Sequence, residues 1–254
     1  AKRVPNPKDY GVFQLDGERV TRVVEKAENP PSNLANVGCY SFDPEVFDWI
    51  DRTEPNPVRG EVEITDTIQQ MIDAGRTVTC LPVSEWNELG KLWDILNLNE
   101  LLLERAAREP GGEKSWIGGG SLVGDEVEII PPVRIGRDCR IVGRSRIGPH
   151  TSIGDGCLLT DCTVEGSVLL DRCIVGQGSE IGYSVLGEGT VVEEGVVMLY
   201  RLPGESTISI EIKGVATDSG RKRLGSVIGD RCRIRRGSRL EPGTTMDPAT
   251  TFGG

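Results

Sequence analysis

From Ile117 onward an aliphatic residue returns at every sixth position: Ile117, Val123, Ile129, Ile135, Ile141, Ile147, Ile153 and Leu159. After a break the beat resumes at Ile228, Ile234, Leu240 and Met246. A period of six matches neither the 3.6-residue turn of an amphipathic helix nor the alternation of one long strand. It fits short strands joined by corners, each strand sending one apolar side chain inward, with three such faces closing a coil of about eighteen residues. Glycine follows the aliphatic residue at Gly118, Gly124, Gly136, Gly148, Gly154, Gly182 and Gly229, where a small residue eases the corner. The coils stack into an all-β solenoid of parallel strands.

Between Leu159 and Val192 the step drifts between five and six, through Val164, Leu169, Val175, Ile181 and Leu186, so corners there are tightened. Residues 202–224 lose the rhythm. Alternating Ile208, Ile210 and Ile212, followed by Arg221-Lys222-Arg223, read as an excursion that rejoins the coil at Gly225. Phe252-Gly253-Gly254 offers no capping helix, so the last coil is expected to be covered by another element, such as a neighbouring subunit.

Residues 1–108 have a different grammar, that of a mixed α/β domain. Asp16-Gly17 supplies a tight turn between Val12 to Leu15 and Val20 to Val24, a hairpin pattern. A Pro/Asn loop from Asn29 to Asn33 leads to an expected strand at Asn36 to Phe42. Asp43-Pro44 opens a helix with Val46, Phe47 and Ile50 on one face. A second helix is expected over Glu63 to Ala74, with Ile64, Ile68, Met71 and Ile72 inward and Gly75 ending it. A strand at Val78 to Val83 follows, and then a helix from Leu92 to Ala107 striped by Ile95, Leu98 and Leu102. Residues 109–115 read as a linker, and residues 116–254 as the solenoid.

The 29 basic and 39 acidic residues leave a net charge of -10, which argues against a nucleic-acid or anionic-membrane partner and suits a cytoplasmic protein. No basic-then-apolar segment starts at Ala1, and no apolar run approaches the ~20 residues of a membrane span. The seven cysteines show no paired CxxC spacing and are expected to be reduced, small and buried.

Several phrases of the first part stand in a telling order: Tyr10-Gly11-Val12, Val24-Glu25-Lys26, Pro31 to Ala35, Val37 to Asp43, Glu61 to Asp66, and Trp86-Asn87-Glu88-Leu89-Gly90 running into Trp93-Asp94-Ile95-Leu96. The set resembles the rear half of the catalytic domain of sugar-1-phosphate nucleotidylyltransferases, the glucose-1-phosphate thymidylyl- and uridylyltransferases. With the repeats attached, the chain resembles the archaeal type that fuses this domain to a left-handed β-helix, some members of which also acetylate amino sugars. The resemblance implies synthesis of a UDP- or dTDP-sugar and pyrophosphate from sugar 1-phosphate and nucleoside triphosphate. It also implies Mg²⁺ as cofactor and a homo-oligomer, a trimer through the β-helix.

By the same resemblance Lys26 binds the sugar phosphate, Glu25 and Glu63 accept hydrogen bonds from sugar hydroxyls, and Gly38 lets backbone approach the sugar. Ala27 stands where the family has proline, and Glu88 where it has the aspartate that holds the metal. One extra methylene moves that ligand in a site that demands octahedral geometry. The family's glycine-rich phosphate loop has no counterpart before Ala1-Lys2-Arg3, so this chain is expected to be a fragment, inactive alone and with no assigned catalytic residue. A non-catalytic oligomerisation or regulatory homologue is the alternative. A β-helix acetyltransferase is less favoured: the sole histidine, His150, reads as an exposed corner residue, and Gln177 and Tyr200 occupy the positions of that activity's histidine and sugar-binding asparagine.

Overall fold

A computed structural model describes residues 1–254 apart from 58, 110, 112, 113, 213 and 254 and the side chain of 205. Two compact units result, Ala1–Asn87 and Glu88–Gly254. Part of the 109–115 segment read as a linker therefore lies outside the described residues.

The first unit holds an antiparallel sheet of order β1-β4-β2-β3, where β1 is Lys2–Arg3, β2 Gly11–Asp16, β3 Arg19–Glu25 and β4 Leu34–Ala35. β2 and β3 form the expected hairpin, turning at Gly17 with φ 61°. Helix α1 (Val46–Ile50) is a single turn and α2 (Ile64–Asp73) is longer. α2 buries Ile68 in a cluster with Phe13, Val20, Val23, Leu34 and Cys80. Its end is capped as Gly75 predicts. Gly75 takes φ 83°, its N–H reaches the Ile72 carbonyl, and the Arg76 N–H reaches that of Met71, closing the helix through a left-handed residue.

Three local expectations fail here. Residues 36–42 form no ladder: β4 stops at Ala35, because Asn36 Oδ1 accepts from the Gly38 N–H and Gly38 turns to φ 72°, breaking the extended run. Residues 78–83 meet the hairpin through one bridge, Arg19 to Thr79, in which the Val20 N–H donates to the Val78 carbonyl and the Cys80 N–H to that of Glu18, and beyond it they bond to Ala1. In α1, Val46 is buried but Phe47 is exposed, since one turn cannot present three residues to a core.

In the second unit the six-residue beat becomes three parallel sheets. The first face runs in seven strands from Ser115–Ile117 to Thr245–Met246, the second in seven from Leu122–Val123 to Thr251–Phe252, and the third in six from Glu128–Ile129 to Arg239–Leu240. Ladder register stacks like on like: Ile135 on Ile153 on Leu169 on Leu186, and Ile141 on Leu159 on Val175 on Val192. The five-residue steps shorten corners without shifting that register. One corner column carries Ser121, Cys139, Cys157, Cys173, Thr190 and Cys232. Each turns its thiol or hydroxyl onto a corner carbonyl, at 2.7 Å for Ser121 to Gly136 and 3.0 Å for Cys139 to Gly154. Cysteine recurs there because it is small, apolar and still a weak donor. All seven cysteines are free thiols, and Cys39 is exposed rather than buried, lying in the irregular 36–42 loop.

The helix α3 (Asp94–Arg108) packs on this solenoid through Ile95 of the expected stripe, and through Trp93, just before the helix, and Leu96, which the stripe did not include. Trp93 and Leu96 are its buried residues and Leu102 is half exposed. Trp93 and Leu96 cluster with Val168 and Val185, which point outward from the first face, and with Ile208, Ile210 and Leu224 of the excursion. The excursion itself contains a hairpin, Ser209–Ile212 against Val215–Asp218. Helix and hairpin together cover the middle of the first face, at Val168, Val185 and Val227. No helix among the described residues is long and apolar enough to cross a membrane.

Candidate functional site

β2 and β3 pair Gly11 with Glu25 at the open end of the hairpin. A Cβ at Gly11 would collide with Glu25 Oε2 and crowd the Thr65 methyl, so glycine there is what leaves room for the carboxylate. The next residue, Lys26, takes φ 44°, and its N–H donates to the Tyr10 carbonyl at 3.0 Å. It is the one non-glycine residue of the first unit with a positive φ among the described residues. A left-handed lysine is strained by ~1–2 kcal/mol, an outlier of the kind that functional sites hold.

Glu63 sits at the N-cap position of α2, yet its side chain does not cap the helix. Both of its oxygens are gripped by Arg59, with Nε donating to Oε1 at 2.5 Å and Nη2 to Oε2. That bond holds the Glu63 carboxyl below the usual carboxylate range. Glu25 moves the other way: burial, and then the neighbouring Glu63 charge, push its carboxyl up, while Lys26 and Arg59 pull it back. Two carboxyls with opposed shifts and two cations therefore share one small region.

Gly38 borders it. The Asn36 N–H donates to the Gly11 carbonyl at 2.7 Å, Asn36 Oδ1 accepts from Gly38, and Asn36 Nδ2 donates to Tyr40 Oη at 2.5 Å. Burial raises the Tyr40 hydroxyl, and the Glu25 charge adds to the effect. Thus Glu25, Lys26 and Glu63 come together with Gly38 in the adjoining loop. Arg59, Asn36 and Tyr40 were missed. For Arg59 a signal existed, since arginine four residues before Glu63 is ion-pair spacing.

Glu88 opens the second unit, exposed, its side chain folded beside Gly90. Among the described residues no three His, Cys, Asp or Glu side chains group as metal ligands. Mg²⁺ needs one or two carboxylates completed by water and phosphate oxygens, so Glu88 offers one ligand and the described residues do not close a metal centre.

In the solenoid, His150 is not the exposed corner residue expected. It takes φ 55°, is half-buried, and places Nε2 2.7 Å from Glu104 Oε1 on α3. Its carbonyl accepts from Asn99 Nδ2, and Asn99 Oδ1 accepts from Ser152. These bonds fasten α3. Of the basic run, Arg221 donates to Asn97 on α3, and Arg223 lies 4.5 Å over the Tyr183 ring and donates to its hydroxyl. Tyr183 also donates to Glu165 at 3.0 Å and packs 4.9 Å from Tyr200, and its hydroxyl is pushed up to about 12, chiefly by burial.

Comparison with known proteins now bears on the first part: residues 1–105 match the family described as nucleotidyl transferase. That segment is similar to the nucleotidyl transferase family. A bifunctional sugar-1-phosphate nucleotidylyltransferase/acetyltransferase of Sulfurisphaera tokodaii is 29% identical over 96% of this chain and 64% of its own length. A glucose-1-phosphate thymidylyltransferase of Streptomyces griseus is 35% identical over 73% of this chain and 54% of its own. The bifunctional protein GlmU of Methanocaldococcus jannaschii is 28% identical over 90% and 58%. The chain thus spans between about half and two thirds of these nucleotidyl transferase relatives.

Proposed function

We propose that the protein containing this chain makes nucleotide-sugars of the UDP or dTDP class. A phosphate oxygen of sugar 1-phosphate bonds to the α-phosphorus of a nucleoside triphosphate, the α–β bridge breaks, and pyrophosphate leaves. The observation that carries this reading is the convergence of Glu25, Lys26 and Glu63 around Gly11 within the segment that matches the family.

Lys26 offers a compact cation to the sugar phosphate, Glu25 and Glu63 offer acceptors to hydroxyls, and Gly38 offers bare backbone. Arg59 already holds Glu63 and so fixes the direction of its free lone pairs. Residues 1–108 contribute to the catalytic domain and residues 116–254 act as scaffold. A divalent metal neutralises charge at the phosphates in chemistry of this type. Glu88 would be one of its ligands at most.

Calorimetric titration of the chain with glucose 1-phosphate tests the half-site: heat of binding is expected, weakened at least tenfold by Lys26→Ala. Failure of the protein, with any natural flanking sequence restored, to release pyrophosphate from every sugar 1-phosphate and nucleotide pair overturns the reading. Glu88 in the metal-ligand position favours a second reading, a non-catalytic homologue, which stable assembly with an active relative supports.

A further inference from the structure

Between Val197–Met198 of the third face and Val227–Ile228 of the first, the chain leaves the solenoid and returns at the same corner. The two ends of this excursion are joined. The Leu224 N–H donates to the Tyr200 carbonyl at 3.0 Å, and further out the Ile208 N–H donates to Arg221 at 2.9 Å and the Ser219 N–H to Ile208 at 3.0 Å. Arg223 ties the root to the coils through the Tyr183 hydroxyl, which donates in turn to Glu165. The inner side, Ile208, Ile210 and Leu224, is buried against Trp93 and Leu96 at the start of α3.

The polar contact is more particular. Asp94, Asn97 and Glu100 follow one another three residues apart and so share a side of α3. Arg221 reaches that side: its guanidinium donates to Asn97 and, through Nε, to the Arg223 carbonyl at 3.1 Å. Burial pulls the Arg221 guanidinium down, and the Glu100 carboxylate, with a smaller effect from Asp94, pulls it back up. A guanidinium withdrawn from water needs partners, and α3 supplies them. The match to the nucleotidyl transferase family runs to residue 105, so most of this helix is part of that segment, yet the chain folds with the solenoid from Glu88 onward. Glu88-Leu89-Gly90 runs directly into the helix start, where the Lys91 N–H donates to Asp94 Oδ2 at 2.7 Å.

We propose that the excursion is a strap serving nucleotidyl transfer: Arg221 is a positioning residue that fixes the start of α3, and with it the Glu88-Leu89-Gly90 segment, against the first face of the solenoid. The inference rests on the activity proposed above for the first part. It turns the repeats from a passive scaffold into the frame that sets one segment of the transferase. It also gives the basic run a use other than an open anion site, since Arg221 and Arg223 are both engaged within the chain.

Hydrogen exchange on the full chain reads the strap directly. In Arg221→Ala the amides of Lys91 and of the first two turns of α3 should exchange about ten- to a hundredfold faster, as for loss of a charge-assisted hydrogen bond. The β2–β3 hairpin and the coils from Leu122 to Leu159 should keep their protection. Arg221→Lys, which retains a cation beside Asp94 and Glu100, should recover most of the loss. With any natural flanking sequence restored, Arg221→Ala should lower kcat for pyrophosphate release and leave KM for sugar 1-phosphate as it was, because Glu25, Lys26 and Glu63 belong to the other unit. Unchanged exchange in α3, or faster exchange spread evenly over all coils, overturns the strap. Unchanged kcat, or a rise in KM alone, overturns its link to the reaction. Absence of pyrophosphate release from the parent protein would sink the activity instead, and the exchange rates would still decide whether the strap holds α3.

Discussion

In the solenoid unit Ile141 is stacked between Val123 and Leu159, one coil before and one coil after it. In the first unit Ile68 is buried among Phe13, Val20, Val23, Leu34 and Cys80, drawn from separate stretches of a non-repeating chain. The first pattern makes stability a sum of neighbour terms, so damage in one coil is felt mainly by the coils beside it. The second makes it one cooperative cluster. Large-to-small substitution separates them. Leu159→Ala and Ile68→Ala should each cost about 2–5 kcal/mol. In urea titrations, the solenoid variant is expected to leave the first unit's transition in place, while Ile68→Ala abolishes that transition's cooperativity. Equal displacement of both transitions by either variant would show that the two units fold as one.

The candidate site lies wholly in the cooperative unit, and its strain sharpens the contrast. The solenoid repeats left-handed corners at Asp138, Asp161, Arg172 and Arg231, whereas the first unit spends that geometry on Lys26. Lys26→Gly is therefore expected to relieve ~1 kcal/mol of strain, offset by glycine's greater freedom when unfolded, while losing the ammonium. Affinity for glucose 1-phosphate should fall about ten- to a hundredfold, as for loss of a charge-assisted hydrogen bond, with little change in the urea midpoint. A large drop in stability would assign Lys26 a structural role instead.

The two carboxyls give opposite pH signatures. Glu25 is raised in the folded state, so its contribution is fully present below the unfolded carboxyl value and fades as pH rises through the folded one. Glu63 is lowered by Arg59, so its contribution is present above the unfolded value and fades as pH falls through the folded one. Glu25→Gln should therefore stabilise the first unit at neutral pH and lose that advantage in acid. Glu63→Gln should destabilise at neutral pH and converge on the parent in acid. Urea midpoints measured from pH 3 to 8 check both signs.

Why the solenoid could be read from its sequence and the site only in part follows from the same physics. A six-residue beat is enforced by ladder register: a slip by one residue would turn Ile147 outward, so the inward residue of each strand is written in spacing alone. Residues 36–42 have apolar content enough for a strand, but the Asn36 side chain and Gly38 decide the matter locally, and periodicity does not see them. The α3 stripe was met only at Ile95, because its partner surface, Val168, Val185 and the Ile208 to Ile210 segment, is supplied from sixty or more residues away. At the site, Glu25, Lys26 and Glu63 carried a family phrase, whereas Arg59 and Asn36 lie just outside the phrases and join through bonds four residues along the chain, Arg59 to Glu63 and Asn36 to Tyr40.

The mildest test needs no substitution. Cys39 is exposed, Cys80 lies in the first unit's core, and Cys139, Cys157, Cys162, Cys173 and Cys232 line the solenoid interior. Burial raises Cys139 and carries Cys162 to about 11, which keeps both as unreactive thiols at neutral pH. The solenoid interior holds a long continuous apolar cluster, and the first unit a small one, so the first unit should open at lower urea. Pulse alkylation read by intact mass is then expected to give one adduct in the native protein, two once the first unit opens, and seven only when the coils separate. Cys80 labelling together with the solenoid thiols would erase the distinction between a cooperative unit and an additive one, because exposure of its side chain would then require the coils to part as well.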